Sequence, residues 1–402
     1  MTTPAKLDVA SEARIHATDW GDFTRIDLNM LGAPLGAEPA GGWAGWSHEQ
    51  NRRLCDFMAA ELAQRGGSFD SIAEWTVAVN RHYDLQDMRN VRTGRWSRGF
   101  GSAITTLPWA NPASTRSVSI QTVAYVPKNT QAPFALKAWQ PDCLYNCGFL
   151  GLSPAVVAEV GSARMIHLSG VVAWDKAIQP LAGDDPRAQV RLVLQKIQEV
   201  FVEAGGTPAD VVRLRPFTAT PAVAQLIREE CVNLWTNQGQ PAPVLLMAEE
   251  SSFWGAPSLY TEIQVMGIVG RAGQPVGQEE IRIATRLDEA TRVRCTRTPH
   301  WDMVHIGELR APAGTGEEAE AVAVGRQVSQ VLRELALAPT DVCLVMAYVS
   351  SARKGSARCG VERSPRVLGA APGAQPGHAR TERSHGETRT DRAETEMTFV
   401  NP

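Results

Sequence analysis

The chain has 402 residues, 44% of them apolar and 21% charged, with a formal net charge of −3. This is ordinary globular composition, long enough for two or three domains, and it gives no electrostatic reason to expect a nucleic acid or an anionic membrane as partner. No apolar run reaches the ~18–20 residues of a bilayer span, and MTTPAKLDVASEARIH lacks the apolar centre of a secretory signal, so a cytoplasmic protein is expected.

Residues 1–22 read as an extension. From Phe23 to Met30 the residues alternate, with Thr24, Ile26, Leu28 and Met30 on one face of a strand. A Gly- and Pro-rich loop over 34–45 leads to Ser47, placed as an N-cap with Gln50 three residues on. Leu54, Phe57, Met58 and Leu62 then recur at helical spacing, and Gly66-Gly67 ends the helix. A strand carrying Trp75, Val77 and Val79 follows, then a helical stretch over 84–96, a loop over 98–114 and the β-rich run SVSIQTVAYV. Phe134 to Trp139 reads as the last short strand of this first unit. Among seven scattered cysteines, Cys143 and Cys147 are the one close pair, short of the four ligands a closed zinc site needs. Reduced thiols and no metal are expected.

The same order returns in the middle of the chain. A strand, Met165-Ile166-His167-Leu168, closes on Ser169-Gly170. A helix over 185–204 carries Val190, Val193, Leu194, Ile197, Val200 and Phe201 on one stripe and ends at Gly205-Gly206. A strand beginning at Val211, a helix over 225–235 and a strand from Tyr260 to Val269 complete the unit. AQRGGSFDSIAEWTVAV and VEAGGTPADVVRLRPFT align at an offset of 139 residues, from Gly67 to Gly206. A third copy starts near Trp301, with Met303, Val304 and Ile306 on its strand and Val324, Val328, Val331, Leu332 and Leu335 on its helix. Its LALAPTDVCLVMAYV matches at an offset of 131, from Asp210 to Asp341. Repeats this long are tandem domains rather than solenoid units.

The expected organisation is therefore an extension (1–22), a degenerate first domain (23–145), a second domain (154–270), a partial third (285–351), a tail (352–392) and a possible final strand of the third domain (393–402). Large apolar residues nearly vanish between 352 and 392, too few to offset the entropy of ordering. One reading is a disordered basic tail; the other is a stretch translated out of frame relative to an ancestral domain. AETEMTFV, which reads as a strand again, favours the second.

The strand into Ser169-Gly170, the long helix, AGGTPADVVRLRPF and the closing strand YTEIQVMGIV resemble the RidA family (YjgF/YER057c/UK114), also called the endoribonuclease L-PSP family. The resemblance covers nearly all of 154–270 and, in part, the flanking copies. It implies α+β domains of RidA/chorismate-mutase-like type, each a mixed sheet backed by two helices. Family members form trimers with sites between neighbouring subunits, so three copies on one chain imply an intrachain pseudo-trimer, as a monomer or within a higher homo-oligomer. The family's best-known activity is hydrolysis of 2-imino or 2-enamino acids. No cofactor is implied.

That chemistry asks for an arginine fork to hold the substrate carboxylate and a carboxylate on the last strand to direct water. Read onto this chain, the second domain keeps Glu262 but has Pro243 where the arginine would fall. The first has Arg116 in ASTRS and no glutamate in FALKAW, where Ala135 or a neighbour takes its place. The third has Arg380 in HARTE and Glu394 in AETEM. His167 and His305, at matching places on the first strands of copies two and three, could reach inter-domain clefts. Trp174, Trp254 and Phe253 could line a cleft for an aromatic ligand. Glu262 and Glu394 are thus the candidate catalytic groups, and Arg116, Arg380, His167 and His305 the candidate substrate-binding groups. The reading is a divergent RidA-like enzyme acting on a small carboxylated or carbonyl metabolite, by imine or enamine hydrolysis or a related water addition or tautomerisation, with specialised-metabolite biosynthesis as its setting by analogy. The alternatives are a chorismatase-like lyase or hydrolase, and a non-catalytic small-molecule-binding or scaffold protein.

Overall fold

The computed structural model describes residues 13–32, 42–79, 85–108, 118–129, 134–248, 258–271, 274, 276–284, 290–299, 301–311, 317–348, 358–363 and 366–367. The first lobe is a sheet of β1 (Ala13–Asp19), β2 (Phe23–Leu31), β3 (Ile72–Val79), β4 (Ala103–Pro108) and β5 (Val118–Pro127), in the order β1-β2-β5-β3-β4. Only β3 and β4 pair in parallel. α1 (Gly42–Ala63) and α2 (Leu85–Thr93) belong to this lobe, and α1 lays Leu54, Met58 and Leu62 onto the sheet. α1 begins at Gly42, so Ser47 lies inside the helix, fully buried, and is not its N-cap.

The second lobe orders its strands β10-β9-β11-β8-β7-β6. They are β6 (Phe134–Trp139), β7 (Ala155–Val160), β8 (Ala163–Val171), β9 (Val211–Thr218), β10 (Val244–Leu245) and β11 (Thr261–Gly270). α3 (Pro186–Glu203) starts where the Asp185 side chain accepts from the Ala188 N–H; at α4 (Pro221–Leu234), Thr220 caps in the same way. The apolar stripe expected on α3 is fully buried, and each such side chain contributes ~1.5–3 kcal/mol on leaving water. Phe201 packs so closely on the β11 backbone that a Cβ on Gly267 would lie 2.0 Å from its Cε1.

The third lobe has β12 (Gly277–Ala284), β13 (Ala290–Arg297), β14 (Trp301–Arg310), β15 (Val342–Tyr348) and β16 (Arg358–Arg363), ordered β12-β13-β14-β16-β15, with β17 (Arg366–Val367) also on β14 and α5 (Glu317–Glu334) against the sheet. β15 and β16 are separated by residues 349–357 alone, whereas β3 and β5 enclose 80–117, and β9 and β11 enclose 219–260. Among the described residues the third lobe has no counterpart of α4 or β10.

Registers show that the lobes repeat. Glu74 faces Val123, Thr76 faces Gln121 and Ala78 faces Ser119; Arg213 faces Met266, Arg215 faces Gln264 and Phe217 faces Glu262. These rungs correspond one to one, and the register slips at the same place, between Ile72 and Glu74 and between the partners of Met266 and Gly267. This corrects several expectations. β5, not Phe134–Trp139, closes the first sheet; β6 instead extends the second sheet beside β7. The place of Glu262 in the first lobe is therefore held by Ser119, not Ala135. Residues 13–19, expected as part of an extension, hairpin with β2. In the third lobe β16 takes the position expected for 393–402, and a segment expected as tail thus contributes two strands. Backbone pairing does not need apolar side chains, which is why composition did not reveal them.

Each lobe has its own helix-on-sheet core. A further core joins all three: Trp20, Phe23, Val123 and Tyr125 of the first sheet meet Val156, Met165, Val212, Met266 and Ile268 of the second and Trp301 and Met303 of the third. Trp20 and Trp301 stack with centroids 4.8 Å apart, and Arg25 reaches from the first lobe to the Met303 sulfur.

Candidate functional site

The seam between the first and second lobes is polar and buried. The tautomer of His167 with its proton on Nδ1 donates to Glu74 at 2.7 Å, and Nε2 accepts from the Tyr125 hydroxyl at 3.1 Å. Arg213 Nη2 lies 2.7 Å from both Glu74 oxygens. Thr76 donates to Gln264 at 2.8 Å and accepts from Arg215 at 3.0 Å. Ser169 accepts from the Ile104 N–H, so β4 of the first lobe lies along β8 of the second. A small cavity of about 10 Å³, at the lower limit for one water, opens beside these groups between Asp27, Asn29, Glu74, Gln121, Thr122, Val123 and Arg215. The unpartnered Asn29 Oδ1, Gln121 Oε1 and Gln264 Nε2 are groups such a water could satisfy.

Alternation along β11 puts Met266, Gln264 and Glu262 on one face. Met266 enters the shared core and Gln264 bonds Thr76 of the first lobe, so Glu262 is the outermost of three residues turned toward that seam. Its cross-strand neighbour Phe217 packs on Leu107 of β4 and on Ala248. A register shift at Ser169–Gly170, opposite β11, bulges β8 beneath Glu262. The carboxyl lies over the bulge: a Cβ on Gly170 would fall 1.7 Å from Glu262 Oε1. Among the described residues Glu262 makes no hydrogen bond or ion pair, and burial pushes its pKa up to about 8. A carboxyl kept protonated at neutral pH can donate a proton and then, ionised, accept one.

Beside it, Val172 and Leu259, from the same strand ends, pack with Tyr145 and Trp174. Burial first, then the charges of Cys147 and Glu262, push the Tyr145 phenol well above its ordinary range. Glu262 was legible from its strand. Tyr145 and Gly170 were not, because only the folded register brings them to it.

His167 and His305 are both fully buried. His167, expected to bind substrate, has both ring nitrogens engaged inside the seam, and His305, expected to do the same, stands on β14 opposite Arg294. Arg116, Arg380, Glu394, Phe253 and Trp254 lie outside the described residues. Glu74 and Arg213, which carry the seam, read in sequence as single charges on two strands, and only their alignment under the repeat could have paired them.

The second seam differs. The PAPV segment, where the arginine is missing, is held by the third lobe: Arg294 donates to the Pro241 and Ala242 carbonyls, and Arg292 to that of Pro243. The positions of Gly170 and Glu262 recur there as Glu308 and Arg358, and Glu308 accepts from Arg228 and Arg310. Among the described residues no group of three or more His, Cys, Asp or Glu could hold a metal ion, and no helix is long and apolar enough to cross a membrane.

Residues 153–265 match the family profile described as Endoribonuclease L-PSP. Among solved structures, a chorismatase is similar over 63% of this chain and 79% of that one, at 10% identity and a TM-score of 0.44. Rv2704 from Mycobacterium tuberculosis, a member of the YjgF/YER057c/UK114 family, is 25% identical over 34% of this chain and 100% of its own, with a TM-score of 0.26. RidA from the Antarctic bacterium Psychrobacter sp. is 20% identical over 33% of this chain and 98% of its own, with a TM-score of 0.27.

Proposed function

We propose, from the premise that the second lobe is an L-PSP domain of RidA type, that this chain is an enzyme working at the seam between its first two lobes. The substrate is a small carboxylated imine, enamine or carbonyl compound. One observation carries the reading: a part-buried carboxyl, Glu262, without a partner among the described residues, on an L-PSP strand turned toward the neighbouring lobe. In imine hydrolysis Glu262 protonates the imine nitrogen; its carboxylate then takes a proton from the water that attacks the imine carbon, and collapse of the adduct releases ammonia and the 2-oxo acid. Enamine protonation at carbon followed by the same hydrolysis, and tautomerisation without water, use the same group. Arg116, in the 109–117 segment that joins β4 to β5, is the proposed fork for the carboxylate; Leu107, near the end of β4 where that segment begins, touches Phe217 across the seam.

The test is ammonia release from enzymatically generated 2-iminobutyrate by wild type, Glu262→Gln and Arg116→Ala. The expected result is a ~10²–10⁴-fold loss for Glu262→Gln. For Arg116→Ala the expected loss is mainly in KM. Equal rates for wild type and Glu262→Gln remove Glu262 from the mechanism. Turnover of chorismate in a parallel assay, with none of the imine, replaces this reading with a lyase one. Heat-shift stabilisation by small carboxylates without turnover of any substrate replaces it with a binding role.

A further inference from the structure

Glu262 is not alone at its end of the seam. Tyr145, in the connection between β6 and β7, is part-buried, and its hydroxyl has no hydrogen-bond partner among the described residues. Its ring meets Trp174 edge-on, with centroids 5.3 Å apart and planes at 66°. Both rings rest on Val172, two residues beyond Gly170, and on Leu259, three before Glu262. Trp174 is itself fixed: its N–H donates to the Val172 carbonyl at 2.9 Å, its carbonyl accepts from the Lys196 ammonium, and it bridges to Pro180. An acid, a phenol and a part-exposed indole therefore converge where β8 and β11 end.

We propose that Tyr145 is a second substrate-binding donor of this cleft, and that Tyr145 with Trp174 selects substrates whose carbonyl or imine carries a flat unsaturated or aromatic group. The proposal rests on the role of Glu262 given above and names its substrate class. The phenol donates a hydrogen bond to the electronegative atom of the substrate and keeps its proton. Glu262 carries out the proton transfer. The indole supplies an aromatic face or edge for the planar body, an arrangement favoured for paired rings. Tyr145 does not lie on the L-PSP strand set, so its position is a property of this chain's own connection.

The test uses the full chain and two probes, phenylpyruvate and 2-oxobutyrate, titrated by intrinsic fluorescence and by heat shift. Wild type is expected to bind phenylpyruvate at least about tenfold tighter. Tyr145→Phe is expected to weaken both probes about tenfold, the loss of one neutral hydrogen bond, while preserving their ratio. Trp174→Ala, or the gentler Trp174→Leu should the first fail to fold, is expected to erase the ratio. Equal binding of the two probes by wild type, no binding of either, or unchanged binding by Tyr145→Phe overturns the proposal. Kinetics separate this failure from failure of the Glu262 mechanism. If Glu262→Gln abolishes imine turnover while Tyr145→Phe leaves KM and kcat alone, Tyr145 is excluded and Glu262 stands. If Glu262→Gln turns over imine at the wild-type rate, the Glu262 mechanism falls and the role of Tyr145 with it.

Discussion

Gly170 lies directly beneath the Glu262 side chain. Any side chain there displaces the Glu262 carboxyl, because the added Cβ would overlap Oε1 at 1.7 Å. Gly170→Ala is therefore expected to lower imine turnover by about 10²-fold or more, as a displacement of about 1 Å does elsewhere, with the variant still folded by circular dichroism. Titration of Glu262 gives a second expectation. Below pH 4.5, the ordinary value, the folded and unfolded chains both hold the proton. Between there and about 8 only the folded chain does, so stability falls as pH rises through this interval and levels off above it. Glu262→Gln removes that slope. Its melting temperature should match wild type near pH 4 and exceed it at pH 9 by a few degrees or more, since even a tenfold difference in proton affinity between the two states is worth ~1.4 kcal/mol. A parallel pair of melting curves across the range would contradict the buried acid. Glu262 was recognisable in YTEIQ because that strand resembles the closing strand of the L-PSP family. Gly170 looked like the end of a strand, since sequence does not show what lies across a bulge.

Periodicity made most elements readable, because burial imposes it directly: the stripe on α3, the alternation of β2 and the strands after each glycine pair all reappear. It failed where a choice of neighbour was needed. Phe134–Trp139 has strand character, yet nothing in six residues says which sheet accepts it, and it joins the second. β16 was missed for a different reason, since RCGVER carries too little apolar alternation to signal a strand. The recurring slip in register near Gly267 is an element-level device, letting Phe201 of α3 reach the β11 backbone. Gly267→Ala is expected to cost ~1–3 kcal/mol by overpacking. A denaturation midpoint equal to wild type would mean that Phe201 of α3 and the Asp210 carbonyl, which lies 2.6 Å from the added atom, both give way without cost.

At the scale of the whole molecule the repeat is geometric but not chemical. Asp27, His167 and His305 hold equivalent places on β2, β8 and β14, and Glu74, Arg213 and Leu344 on β3, β9 and β15. At the first seam Glu74 joins His167 and Arg213, all nearly inaccessible to water. Removing one member of such a cluster leaves the rest buried and uncompensated, so Glu74→Gln should destabilise the chain by ~3–5 kcal/mol and separate the first two lobes in hydrogen exchange before the others. Small or uniform changes would show that the seam tolerates an unpaired Arg213. The three-lobed plan was legible from the offsets of 139 and 131 residues. The divergence of the seams was not, because it depends on which residues of different lobes end up face to face.

Only residues 349–357 separate β15 from β16, and among the described residues the last lobe has no strand placed as β4 is along β8. A ring of identical subunits repeats each crevice by symmetry, and its ligands can cooperate between equals. On a single chain the junctions are free to differ: one carries Glu262, unpartnered among the described residues, and another is bridged by Arg292 and Arg294 and by the contacts of Glu308 with Arg228 and Arg310. If Glu262 is the working acid, one ligand per polypeptide is the expected occupancy, checked by the stoichiometry of a binding titration.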